Sequence, residues 1–301
     1  MKPRKTYKPY PKRTMKKVLL WLRIIRPQTL FASLVPVLVG LLAYRHDGLS
    51  AAAYWPALTA VLTALCALSL QILSNLINDY YDFVRGSDKA GRVGFKRALA
   101  EGEVSKRQML TACAIALALA VAMGAYLVLV GGWVILAIGL TAILFAWLYT
   151  ATSHSLSYLG IADIFVFLYY GVVASAGTVF LLSHTFSLTA FYAGAVCGLI
   201  SMCVLMINNL RDIESDRLVG KRTLPVRFGK RAAEGIMLAE VLLMPLFAYL
   251  AWGLSWPMLI GLAALALFAA VLRAQGPQYN KCLLATGLTN LLYLLLCLLS
   301  V

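Results

Sequence analysis

Runs of about twenty apolar residues recur from Arg26 to the end of this chain, separated by short loops rich in Lys and Arg. A run of that length matches the hydrocarbon thickness of a bilayer when helical, and helices satisfy their own backbone where no water can. The pattern predicts a polytopic all-α membrane protein. The alternating signature of an outer-membrane barrel is absent. Composition agrees: 61% of the 301 residues are hydrophobic and 13% charged, where soluble domains carry about 25% charged residues.

Nine spans are predicted, at 27–44, 55–77, 108–130, 132–150, 161–182, 188–208, 235–254, 256–272 and 281–300. With the N-terminus inside, the inside segments hold 26 of the 27 Lys and Arg, and Arg45 alone lies outside. That bias predicts a cytoplasmic N-terminus and an outside C-terminus. It also explains the net charge of +15 without nucleic acid. Residues 1–22 read as a basic cytoplasmic arm meeting anionic lipid, or as a plain topology signal, and 23–301 as one transmembrane domain. No cleavable leader is expected, because the first short apolar piece is interrupted by Arg23 and Arg26. Cys66, Cys113, Cys197, Cys203, Cys282 and Cys297 all sit in apolar runs without paired spacing and read as small buried hydrophobes. Spans one to four and five to eight repeat one order, in which the second span of each set ends in acids and a basic loop follows, so duplication in parallel orientation is expected.

Those two acidic endings carry the chemistry. The first reads NLINDYYDFVRG (75–86), with Asp79 and Asp82 three apart. The second reads NNLRDIESDRLVGKRTLPVRFGK (208–230), with Asp212 and Asp216 four apart. Either spacing puts both acids on one face of a continuing helix. Paired carboxylates offer hard oxygen ligands for Mg²⁺, and the basic loops that follow offer donors for phosphate. One metal–diphosphate site, built from both halves, is expected on the cytoplasmic side. A solvated helix end is the plain alternative for any one of these acids, and helix capping for Asn75, Asn78 and Asn208.

NDYYD (78–82) and the long second motif (208–229) resemble the two Asp-rich motifs of the UbiA superfamily of intramembrane prenyltransferases. RPQTLFASLVPVLVG (26–40), GKRTLPV (220–226) and ADIFVFLYYG…GT (162–178) resemble its menaquinone branch, the MenA type, which prenylates 1,4-dihydroxy-2-naphthoate. The sequence departs from the family pattern at Gly86, where many members carry a third acid; the nearest acid here is Asp88. Asp163 stands where Glu is expected in the menaquinone branch. The fourth span ends LYTATSHS (148–155), with Ser153 where the 4-hydroxybenzoate branch carries Lys.

The resemblance implies nine helices around a central cavity opening to the cytoplasm of a bacterial inner membrane. It implies transfer of a polyprenyl group from its diphosphate to an aromatic ring, with loss of CO₂ if the ring is dihydroxynaphthoate, giving a demethylmenaquinone. Asp79, Asp82, Asp212 and Asp216 would hold Mg²⁺, and Arg97, Arg211, Lys221 and Arg222 would bind the diphosphate. Arg26 would hold the acceptor's carboxylate, or anchor the membrane edge. Tyr149, with Phe145, would face an allylic cation, or simply pack. Gln71, Asn75, Asn78 and Asn208 would complete the substrate site. Prenyl or phytyl transfer to another ring, of 4-hydroxybenzoate or homogentisate type, stays open, as does an organic-anion transporter. A transporter would place its acids and cations at the bilayer midplane on broken helices.

Overall fold

Proline opens the first two long helices and glycine breaks the third. The computed structural model describes residues 17–86, 97–149, 156 and 160–301, and these are helical without strands. A short helix α1 (Lys17–Ile25) leads into α2 (Pro27–His46). The residue before a proline is barred from helical geometry, and Arg26 takes the left-handed region at φ 57° instead. The chain turns there, α1 lies against the next helix, α3 (Pro56–Val84), and Arg23 pairs with Glu103 to hold it.

Helix α4 (Lys106–Leu148) is capped by Ser105, whose hydroxyl accepts from Gln108 N at 3.2 Å while Gln108 Oε1 accepts from Ser105 N at 2.8 Å. Forty-three residues of straight helix would reach roughly 65 Å, twice the hydrocarbon thickness. Gly132, at φ 65° and ψ −152°, breaks the helix instead. The two spans expected at 108–130 and 132–150 are thus continuous through this break, so eight helices, not nine, have the length and hydropathy to cross a bilayer among the described residues. Only glycine adopts such a backbone without strain, so Gly132→Ala is expected to cost about 1–3 kcal/mol. Thermal unfolding in detergent measures this, and an unchanged midpoint would show that the break can move.

The second half comprises α5 (Ala162–Ser183), which contains a π-helical stretch at Leu168–Val172, and α6 (Leu188–Arg211). Then come the short α7 (Ile213–Leu218) and α8 (Leu224–Phe228), followed by α9 (Lys230–Trp252), α10 (Ile260–Arg273) and α11 (Tyr279–Leu298). Helix α6 is the hub, touching α2, α5, α9 and α11. Its contact with α5 is backbone to backbone: a Cβ on Gly198 would lie 2.5 Å from Phe167 O, and one on Gly171 2.6 Å from Gly198 Cα. Gly194 and Gly198 form a small-xxx-small pair, which lets helices in lipid approach this closely.

Two large apolar cores result, with a small third one, centred on Leu127, Ile135 and Leu181, at the break in α4. One joins α2, α5, α6, α9, α10 and α11; the other joins α1, α3, residues 98–104 and the first arm of α4. Between them lies a cavity of about 1310 Å³. The outer faces are Leu- and Val-rich and exposed over most helices. Such a coat is stable only against lipid, and the chain is an integral membrane protein. Glu240, which sequence places just inside the seventh span, is turned into the bundle at 3% exposure and accepts a hydrogen bond from Cys203 Sγ at 3.4 Å.

Candidate active site

One helix turn separates Asp79 from Asp82, and both emerge at the buried end of α3. The second pair arises differently from the sequence expectation. A helix continuing through Asp212 and Asp216 is not observed: α6 stops at Arg211, Asp212 sits at φ −102° and ψ 11°, and α7 begins after it. The cause is a fork. Arg211 donates Nε and Nη2 to the two oxygens of Asp212, each at 2.8 Å. Neighbouring residues point apart on a regular helix, so this bidentate pair demands a break. Asp216 N still donates to Asp212 O at 2.8 Å, which keeps the two acids one turn apart.

The two motifs meet. Lys221 Nζ lies 3.6 Å from Asp82 Oδ1 and 4.0 Å from Asp216 Oδ1. Arg97 pairs with Asp79 and stands 3.5 Å from Asp82. Arg26, aimed by its left-handed backbone, also binds Asp79. Arg211 donates its remaining Nη1 to Asn280 Oδ1 at 2.8 Å. Asp79, Asp82, Asp212 and Asp216 are only 2%, 4%, 6% and 7% exposed. Buried charges persist when paired in this way.

Around them lies a polar cavity of about 170 Å³. Arg26, Asn78, Tyr149, Leu205 and Asn208 line both this cavity and the large apolar one, so the two adjoin at a neck. Beyond the neck, Gln71 and Asn75 face the apolar cavity; Gln71 Nε2 donates to Asn75 Oδ1 at 3.4 Å. Asn75 Nδ2 donates to Ile25 O and Thr29 Oγ1, tying α3 to the α1–α2 turn. Asn208 donates to Val204 O. Phe145 packs on Phe165 and Tyr169 with centroids 4.3 and 5.1 Å apart.

The sequence-predicted residues are therefore brought together with one exception. Arg222 is exposed and lines neither cavity. Asp88, Ser153 and the loop cations Lys89, Arg92 and Lys96 lie outside the described residues. Sequence reasoning gave no site role to Asn280 or to Asp163, which is 6% exposed and lines the polar cavity. The signal for Asp163 was its position: an acid opening a membrane span is costly unless it has a use.

These residues fit a hard divalent cation. The donors are carboxylate and amide oxygens, and Asp82 Oδ1 is buried without a hydrogen-bond partner among the described residues. No three His, Cys, Asp or Glu side chains there are close enough to cage an ion by themselves. Mg²⁺ is ordinarily held by one or two carboxylates plus phosphate oxygens, not by an all-protein cage.

The model of the UbiA prenyltransferase family matches residues 33–297. A 1,4-dihydroxy-2-naphthoate octaprenyltransferase of Escherichia coli is 33% identical over 91% of this chain and 94% of its own length. One from Mycobacterium tuberculosis is 35% identical over 85% of each chain. The solved structure of a UbiA homolog from Archaeoglobus fulgidus bound to DMAPP and Mg²⁺ superposes with a TM-score of 0.65, at 20% identity, covering 93% of this chain and 98% of that one.

Proposed function

This chain belongs to the UbiA prenyltransferase family, and from that premise we propose that it transfers a polyprenyl group from polyprenyl diphosphate to 1,4-dihydroxy-2-naphthoate, with decarboxylation, giving the hydroquinone of demethylmenaquinone, which a later two-electron oxidation converts to the quinone. The observation that carries the reading is the neck: a charged cleft for a diphosphate opens directly into an apolar chamber for its tail. The relatives' acceptor, named in their own descriptions, supplies the ring.

The chemistry follows from the residues. Mg²⁺, when bound, supplies Lewis-acid charge to the leaving diphosphate. Asp79, Asp82, Asp212 and Asp216 are the groups to hold it, and Arg97, Arg211 and Lys221 stand where they can turn to phosphate oxygens. Tyr149 at the neck can face the allylic carbon as positive charge develops there. Arg26 lies on the same rim and is the group we assign to the acceptor's carboxylate. The apolar lining keeps water from capturing the cation.

The membrane arrangement is part of the proposal. The two arms of α4 on either side of Gly132 count as two spans, making nine. The distribution of Lys and Arg supports an N-terminus and polar cleft on the cytoplasmic side of a bacterial inner membrane, with the C-terminus outside.

The test is incubation of purified protein in nanodiscs with Mg²⁺, a polyprenyl diphosphate, and dihydroxynaphthoate, 4-hydroxybenzoate or homogentisate, with products read by mass. A prenylated, decarboxylated naphthohydroquinone, or the quinone it becomes on oxidation in air, is the expected product. Prenylated hydroxybenzoate or homogentisate would replace the acceptor, and no prenylated product from folded protein would sink the reading.

A further inference from the structure

The four metal-facing acids are each set against a cation, whereas the fifth acid of the cleft is not. Asp163 sits in the first turn of α5 and is 94% buried, with no ion pair among the described residues. Its Oδ1 accepts no hydrogen bond. It lines the polar cavity together with Tyr149, one of the residues at the neck. Leaving a buried carboxyl oxygen unpartnered costs free energy, so a group brought by the substrate is its natural partner. A diphosphate is excluded by like charge. The acceptor's ring hydroxyl, a donor, fits.

Resting on the function proposed above, we infer that Asp163 is a catalytic base that takes the acceptor's hydroxyl proton. The ring carbon that bears the carboxylate bonds to the allylic carbon as diphosphate departs. The adjacent hydroxyl gives its proton to Asp163, and its O–H electron pair becomes the carbonyl. The resulting β-keto acid loses CO₂; the electrons of the broken C–C bond restore the ring, and the proton returns from Asp163 to the carbonyl oxygen. Asp163 ends as it began, and the ring has exchanged CO₂ for the prenyl group.

General base catalysis contributes about 10²–10⁴-fold. Asp163→Asn is therefore expected to lower kcat at least 100-fold, while its affinity for prenyl diphosphate and its Mg²⁺ dependence stay at wild-type levels. Asp163→Ala should recover at least tenfold with added formate, which a packing role would not allow. Turnover by Asp163→Asn within threefold of wild type would overturn the inference, as would a shifted Mg²⁺ dependence, which would make Asp163 a metal ligand. If the Asn variant fails to bind diphosphate, the formate response of the Ala variant decides alone. Wild-type protein that leaves dihydroxynaphthoate unprenylated would defeat the proposed function itself, a result separate from these.

Discussion

Asp79→Ala is expected to lower prenyl transfer by about 10³-fold, with a loss of folded stability beside it. The rate effect follows from the Mg²⁺ that Asp79 is proposed to hold: losing a group that supports developing negative charge on a leaving group in a dry site costs about 10²–10³-fold. The stability effect follows from what Asp79 holds. Arg26 and Arg97 both bind it, and their side chains are only 18% and 13% exposed. Removing the acid leaves two guanidiniums facing each other across the gap. Breaking a fully buried pair costs about 3–5 kcal/mol, and partial exposure here lowers that figure. Asp79→Asn keeps an acceptor oxygen for the two arginines and is expected to recover most of the stability but little of the activity. Product mass and detergent unfolding, measured on both variants, separate the two roles. If Asp79→Asn retains activity within tenfold of wild type, the carboxylate charge is not what the reaction needs.

Gly198→Leu is expected to prevent folding altogether. The added side chain would begin 2.5 Å from Phe167 O and 2.9 Å from Phe167 Cδ2, inside the contact that joins α5 to α6. Backbone cannot withdraw as a side chain tip can. Because α6 is the hub of the larger core, separating it from α5 disturbs every helix packed on it. The cost should exceed 4 kcal/mol, the range reserved for gross overpacking and its like. Gly235→Ala is the control: nothing lies within 4 Å of its added Cβ, and alanine suits a helix better than glycine by about 0.5–1 kcal/mol. Size-exclusion profiles and unfolding midpoints check both. A monodisperse, wild-type-like Gly198→Leu protein would mean that α5 and α6 can move apart.

The helices were legible because membrane spans are written as length and hydropathy. The expected spans at 161–182 and 188–208 correspond to α5 at Ala162–Ser183 and α6 at Leu188–Arg211. The extra turn at the end of α6 was invisible to hydropathy, since Asn208, Asn209 and Arg211 are polar yet helical. The four aspartates and Lys221 stood out as types in a repeated pattern, and they converge. What sequence could not show were partners chosen across distance. Arg26 reads in sequence as a holder of the acceptor's carboxylate or as a membrane-edge anchor, and neither reading shows that its side chain reaches Asp79, 53 positions away. The break at Asp212 depends on one side chain gripping its neighbour, which no periodicity encodes. Asp163 was noticed for its type, but its unpartnered oxygen is a fact of packing.

The cleft carries its own counterions: Arg26, Arg97, Arg211 and Lys221 stand against four aspartates. On the proposed function it would behave as an ion exchanger, loaded by substitution more than by addition. At an effective dielectric near 20, two unit charges 4 Å apart interact by about 4 kcal/mol, so any uncompensated arrival is heavily taxed. On the proposed function, a metal ion coming alone would have to displace a guanidinium from its carboxylate, and a diphosphate coming alone would face four carboxylates. Coming together they would let the aspartates hold the metal while the arginines and the lysine turn to phosphate oxygens, a nearly neutral exchange that the internal ion pairs would reverse when the leaving group departs.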